Sequence, residues 1–315
     1  MPTNPLFASF AEQLADAARD NLAAFAQVQE AFIEALQQRE LSGQGRAHGI
    51  SPADLAGLTQ IGVQVAQAIL AMQQPDLTYI ERLAHSQVPA VRCCGAMALG
   101  EFGTRYPQQI VPLAYQLAGD QAWEVREFIA NAFDERMGAA QGEFVYELMQ
   151  QWADDPDENV RRVPTNALMR YGRRHPARVL ALMQKLRGDS SLYVRKNVCF
   201  CLGVVALERH PQLGHPDAEN PRRVLQLLQS WAVESNEGTR WIVAETLGRA
   251  WSKSVPQEAL QLLQKLALDA QKAVRSAALA SLKAICKRDA GMREQVQLWR
   301  ADTAPEVREL VRLIL

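Results

Sequence analysis

The chain has 315 residues, 48% of them apolar, with 34 basic against 35 acidic residues; that is the balance of a soluble globular protein with room for one large or two medium domains. No apolar run approaches the roughly 18–20 residues that a bilayer span needs. The opening "MPTNPLFASFAEQLADAARD" has neither a basic leader nor a continuous apolar stretch, so no membrane partner and no secretion signal are expected, and a cytoplasmic location is. Cys93, Cys94, Cys199, Cys201 and Cys286 are odd in number and lack CxxC spacing, which suits reduced thiols better than disulfides or zinc. His210 and His215 lie close in a loop without a Cys or acidic partner, so neither a metal nor another cofactor is expected.

In chain order, the first segment carries Phe7, Phe10, Leu14, Ala18, Leu22, Phe25, Val28 and Phe32 at spacings of three and four, the stripe of an amphipathic helix. "SGQG" (42–45) interrupts it, and Ser51-Pro52 starts a further helix that runs to about Gln74. Residues 1–80 are read as an N-terminal helical cap, with a dimerising hairpin through residues 4–41 as the rival.

From there to the C-terminus a Val-Arg pair recurs, in "PAVRCC", "WEVREF", "ENVRRV", "LYVRKN", "KAVRSA" and "PEVREL", with "GTRWIV" as a variant. The arginines are Arg92, Arg126, Arg161, Arg195, Arg240, Arg275 and Arg308, spaced 34, 35, 34, 45, 35 and 33 residues apart. Six residues before five of them stands an aspartate: Asp120, Asp155, Asp189, Asp269 and Asp302. Breaks such as "GTRYPQQ", "GRRHPAR" and "SVPQEA" divide each unit into two helices. One helical pair cannot bury its own apolar stripe, so such pairs stack. The predicted fold is all-α, a HEAT-like α-solenoid over residues 81–315, with Asp and Arg bonding between neighbouring repeats. The 45-residue spacing marks an insertion within residues 208–223, read as a surface loop that either carries contacts or carries none.

In such arrays the Val-Arg helix lines the inner side. The residue after each arginine and the one four further share a face beside the buried stripe. Glu127 and Asn131, Arg162 and Asn166, Lys196 and Phe200, and Trp241 and Glu245 therefore line up, with Trp123 one turn before Glu127. Charge is polarised too. Residues 1–160 hold 8 basic and 21 acidic residues, whereas residues 161–253 hold 16 and 7. Aromatic side chains interleaved with cations suit nucleic acid or a cationic base; the competing reading packs the aromatics between repeats and pairs the charges among themselves.

The blocks "WEVREFIANAF" (123–133), "ENVRRVPTNALMR" (158–170), "DSSLYVRKNVCFCLGVVALERHP" (189–211) and "GTRWIVAETLGRAW" (238–251) resemble the HEAT-repeat alkylpurine DNA glycosylases, the AlkC/AlkD family, over about residues 85–265. The resemblance implies excision of N3- or N7-alkylated purines from double-stranded DNA without drawing the base into a deep pocket. It implies Glu127 as the catalytic carboxylate, with Trp123, Phe200 and Trp241 shaping the lesion site. Asn131, Asn166 and Glu245 are carried along as face residues. Arg162 and Lys196, with Arg173 and Arg174, are expected to hold phosphates. The chain departs from the family at Pro164, inside an inner helix, at Phe200, which lacks an indole N–H, and at Gly203, where a polar residue is usual. Two other readings stay open: a non-catalytic scaffold that binds a protein segment, and a binder of DNA structure without excision.

Overall fold

The computed structural model describes residues 5–41, 52–207 and 218–315. The "SGQG" break, His210, His215 and most of the 208–223 insertion lie outside the described residues. All regular structure among the described residues is helical, and no helix there is long and apolar enough to cross a membrane. The chain divides into two compact units, Met1–Ala167 and Leu168–Leu315. The first carries 10 basic and 21 acidic residues, a net −11, and the second 24 and 14, a net +10.

Unit 1 contains α1 (Pro5–Asp20), α2 (Leu22–Leu41), α3 (Pro52–Leu70), α4 (Thr78–Ala84), α5 (Pro89–Gly103), α6 (Val111–Ala118), α7 (Trp123–Ala132), α8 (Gly138–Ala140), α9 (Gly142–Trp152) and α10 (Glu158–Ala167). Helix α1 packs on α3, α3 on α5, α5 on α7 and α7 on α10, while α4 packs on α6 beside them. The N-terminal stripe, read as one run, is split at Asn21, whose side chain accepts the Ala24 N–H and starts α2. Phe7, Leu14, Phe25 and Phe32 are buried within this chain. Phe25 stands edge-on to Tyr79 of α4, with ring centroids 5.2 Å apart. Phe10, Leu22 and Val28 of the same stripe are half-buried.

Unit 2 contains α11 (Met169–Arg174), α12 (Pro176–Leu186), α13 (Leu192–Val205), α14 (Asn220–Trp231), α15 (Glu237–Leu247), α16 (Pro256–Ala267), α17 (Lys272–Arg288), α18 (Ala290–Leu298) and α19 (Pro305–Ile314). Here α13 packs on α15, α15 on α17 and α17 on α19, with α12 and α14 forming the second layer.

The repeated Asp-x5-Arg has a definite physical role. In all seven repeats the arginine Nη1 donates to the carbonyls six and five residues before it, at 2.6–3.5 Å. It thereby ties the incoming turn to the helix. Each of the five aspartates accepts the backbone N–H two residues on, at 2.8–2.9 Å, an Asx turn that sets up the same helix. Two of these aspartates, Asp120 and Asp269, also pair with the arginine of the repeat before them. Arg92 meets Asp120 bidentately at 2.7 and 2.8 Å, and Arg240 meets Asp269 at 2.6 and 3.0 Å. Glu234, in the variant repeat, accepts instead from Arg187 at 3.0 Å.

The Arg240 guanidinium holds the Asp269 carboxyl below the usual carboxylate range. Such a depressed group contributes stability that is present above its unfolded-state pKa and is lost as pH falls through its folded one. Asp269→Asn keeps an oxygen for the Gln271 N–H and loses only the ion pair. It is expected to cost about 2 kcal/mol at pH 7 and progressively less on acidification below pH 4. Urea titrations of the two proteins across that range check both parts; a pH-independent difference would place the cost elsewhere.

All five cysteines are free and buried. Burial pushes every resolved thiol upward, Cys199 to about 12. At neutral pH none is expected to react with a thiol-directed disulfide reagent until the chain is denatured. Stoichiometric labelling of the native protein would contradict this.

Candidate functional site

Helix α7 carries the carboxylate. Asp120 sets the turn ahead of this helix, and α7 starts at Trp123. Val125, Ile129 and Phe133, four residues apart, form the buried stripe of this helix. After Ala132 the helix widens into one π-helical turn, Phe133–Met137, which the sequence reading did not anticipate. Such turns interrupt the regular ladder and recur at functional sites.

Trp123 is 54% exposed, so it is not packed between repeats. One turn later Glu127 turns toward α10. Arg162 donates through Nη2 to Glu127 Oε2, and Asn166 Nδ2 donates to Glu127 Oε1 at 2.9 Å. Both carboxylate oxygens are thus held from the next repeat, while 31% of the Glu127 side chain stays open. Helix α10 continues through Pro164. Thr165 Oγ1 donates to the Arg162 carbonyl at 2.6 Å within this stretch. Asn131, one turn beyond Glu127, is half-buried.

Two expected phosphate contacts need correction. Arg162 is only 4% exposed and serves to position Glu127. Arg173 is 1% exposed, and its Nη1 donates to the carbonyls of Val204 and Leu207 at 2.9 and 2.6 Å. It therefore closes the end of α13 instead of facing a polyanion. Arg174, its neighbour, is exposed.

In unit 2, Leu192, Lys196 and Phe200 form one exposed stripe along α13. Phe200 is 41% exposed and carries the Arg249 guanidinium over its ring, 5.2 Å from the centroid. Trp241 and Glu245 are half-buried on α15. Arg249 continues their four-residue spacing and was missed because the reading stopped one turn short. Gly203 explains itself here: a Cβ at that position would stand 2.5 Å from Arg249 Cδ. No group of three or more metal-ligating side chains occurs among the described residues.

Residues 179–283 match the family model for HEAT repeats, and no curated protein matches the chain. Among solved structures, smu.31 from Streptococcus mutans UA159 is 18% identical over 60% of this chain and 96% of its own, with a TM-score of 0.45. AlkD2 from Streptococcus mutans is 20% identical over 61% of this chain and 96% of its own, with a TM-score of 0.46. A chain of the Kap95p–RanGDP structure is 13% identical over 98% of this chain and 44% of its own, with a TM-score of 0.47. Residues 179–283 are thus a HEAT-repeat segment, and the arginine ladder carries the same unit along the chain from Arg92 to Arg308.

Proposed function

We propose that this HEAT-repeat protein binds duplex DNA and releases N3- or N7-alkylated purines from it, with Glu127 as the carboxylate. The observation that carries the reading is the Glu127 site itself: a carboxyl group held at both oxygens by Arg162 and Asn166, still partly open, one turn from an exposed indole.

An N-alkylated purine bears a positive charge, which weakens its bond to the sugar. Cleavage of the C1′–N bond leaves the electron pair on the departing neutral base and a cationic, oxocarbenium-like sugar. A fixed carboxylate stabilises that sugar, and water then adds at C1′ and gives up its proton, as in glycoside hydrolysis. The products are the free base and an abasic site. An indole face beside the carboxylate favours the cationic base. Arg162 acts here by orienting Glu127. Lys196 and Arg174, exposed in the basic unit 2, hold backbone phosphates without reading sequence.

The direct test is release of methylated purine from methylated duplex at low salt. Release is expected, and its absence would overturn the excision step. A second reading has its own support: the net −11 of unit 1 favours a basic protein segment over DNA. That scaffold predicts no duplex binding at any salt concentration, whereas the DNA reading predicts binding that weakens steeply as salt rises.

A further inference from the structure

Arg249 and Arg288 of unit 2 pair with no carboxylate among the described residues, and both line one groove. The groove, about 470 Å³, lies between the end of α15 and α17. Glu245, Arg249 and Arg288 form its walls, and Gly248, Ala280 and Ala284 are small residues along it. Its size falls in the range of small-ligand sites.

Arg249 is seated with care. Its stem fills the space that a side chain at 203 would occupy. Glycine inside a helix is destabilising relative to alanine, so α13 carries a destabilising residue where Arg249 needs room. Its guanidinium rests over Phe200 instead of pairing with Glu245, four residues earlier. Its Nε is buried without a hydrogen-bond partner. Arg288 donates to the Gly248 carbonyl at the end of α15, which leaves the rest of its planar fork uncommitted. Two guanidinium forks at one groove suit an oxyanion and exclude a cation, and phosphate, with more oxygens than a carboxylate, can accept from both forks at once. Glu245 repels an anion and confines it to the Arg249–Arg288 end. Phe200 supplies a ring face beside it once Arg249 turns to an anion.

We propose that this groove binds the phosphate of a nucleotide, with Arg249 and Arg288 as its ligands and Gly203 as the residue that makes room for the first. The proposal deepens the DNA reading by naming a backbone contact in unit 2, and its chemistry also admits a free nucleotide.

The test measures two ligands against four variants of the full chain, each checked by thermal melting. The first ligand is a labelled unmodified duplex titrated at several salt concentrations; the second is AMP, titrated calorimetrically. Arg249→Gln and Arg288→Gln are each expected to lower the salt slope of duplex binding by about one and to weaken AMP at least threefold. Gly203→Ala keeps both charges, displaces Arg249 and is expected to behave like Arg249→Gln. Glu245→Gln is expected to tighten both ligands. Wild-type duplex binding with an unchanged slope in both arginine variants would overturn the groove and leave the DNA reading standing. AMP binding that the arginine variants abolish, without duplex binding, would support the groove for free nucleotide and overturn the DNA reading. Binding of neither ligand by wild type would overturn both.

Discussion

Glu127→Gln is expected to leave duplex affinity within about twofold of wild type and to reduce base release by at least about 100-fold, or about 2.7 kcal/mol in the barrier. Glutamine has nearly the same shape, and its amide oxygen can keep the bond from Asn166 Nδ2. What disappears is the negative charge opposite the cationic sugar, which matters only in the transition state, so turnover falls while ground-state binding does not. The substitution also sets an amide against the buried Arg162 guanidinium, so some loss of stability is expected, and the assay belongs well below the melting temperature. Glu127→Asp separates the two effects. It keeps the charge, draws it back by one methylene, and is expected to retain partial turnover. Undiminished release by a folded Glu127→Gln protein would remove Glu127 from the chemistry, whatever the DNA affinity.

The fold was legible because it is written in a short-range rule repeated seven times. The arginine ladder is bonded within six residues, and such local geometry leaves a fixed spacing in the sequence. The pairing between repeats was legible for the same reason, and Arg92–Asp120 and Arg240–Asp269 carry it out. Residue depth was less legible. Arg162 sits next to Arg161 in sequence and beside the buried stripe in projection, and a helical wheel cannot tell an open face from one closed by the next repeat. Arg162 is drawn inward because Glu127, 35 residues earlier, offers it a carboxylate. The split at Asn21 was hidden because the apolar spacing runs straight across it. The π-helical turn after Ala132 leaves no spacing in the sequence from which it could be read. Arg249 was hidden differently, since its place is explained by the absence of a side chain at Gly203, 46 residues earlier. The sequence showed that glycine as an oddity without its reason.

Arg173→Met is expected to destabilise unit 2 by about 3 kcal/mol while leaving the salt dependence of duplex binding unchanged. The side chain is buried, and burial lowers its pKa. Its Nη1 satisfies the carbonyls of Val204 and Leu207, where α13 ends and the intrahelical donors run out. A cation at a helix C-terminus also opposes the negative end of the helix dipole. Asn220 strengthens the same closure, donating from Nδ2 to the carbonyl of Arg173 at 3.0 Å. Methionine fills most of the volume but donates nothing, so the Leu207 carbonyl loses this donor and the Val204 carbonyl keeps only the Leu207 N–H at 3.2 Å, a loss of about 1–3 kcal/mol for an abandoned acceptor, partly offset by no longer burying a charge. Arg174→Met, next door and exposed, is expected to change stability by less than about 0.5 kcal/mol and to lower the salt slope of duplex binding by about one. Urea titrations and salt titrations of the two variants separate the roles. A stable Arg173→Met protein with a reduced slope would mean that this arginine reaches phosphate after all, and that the end of α13 holds together without it.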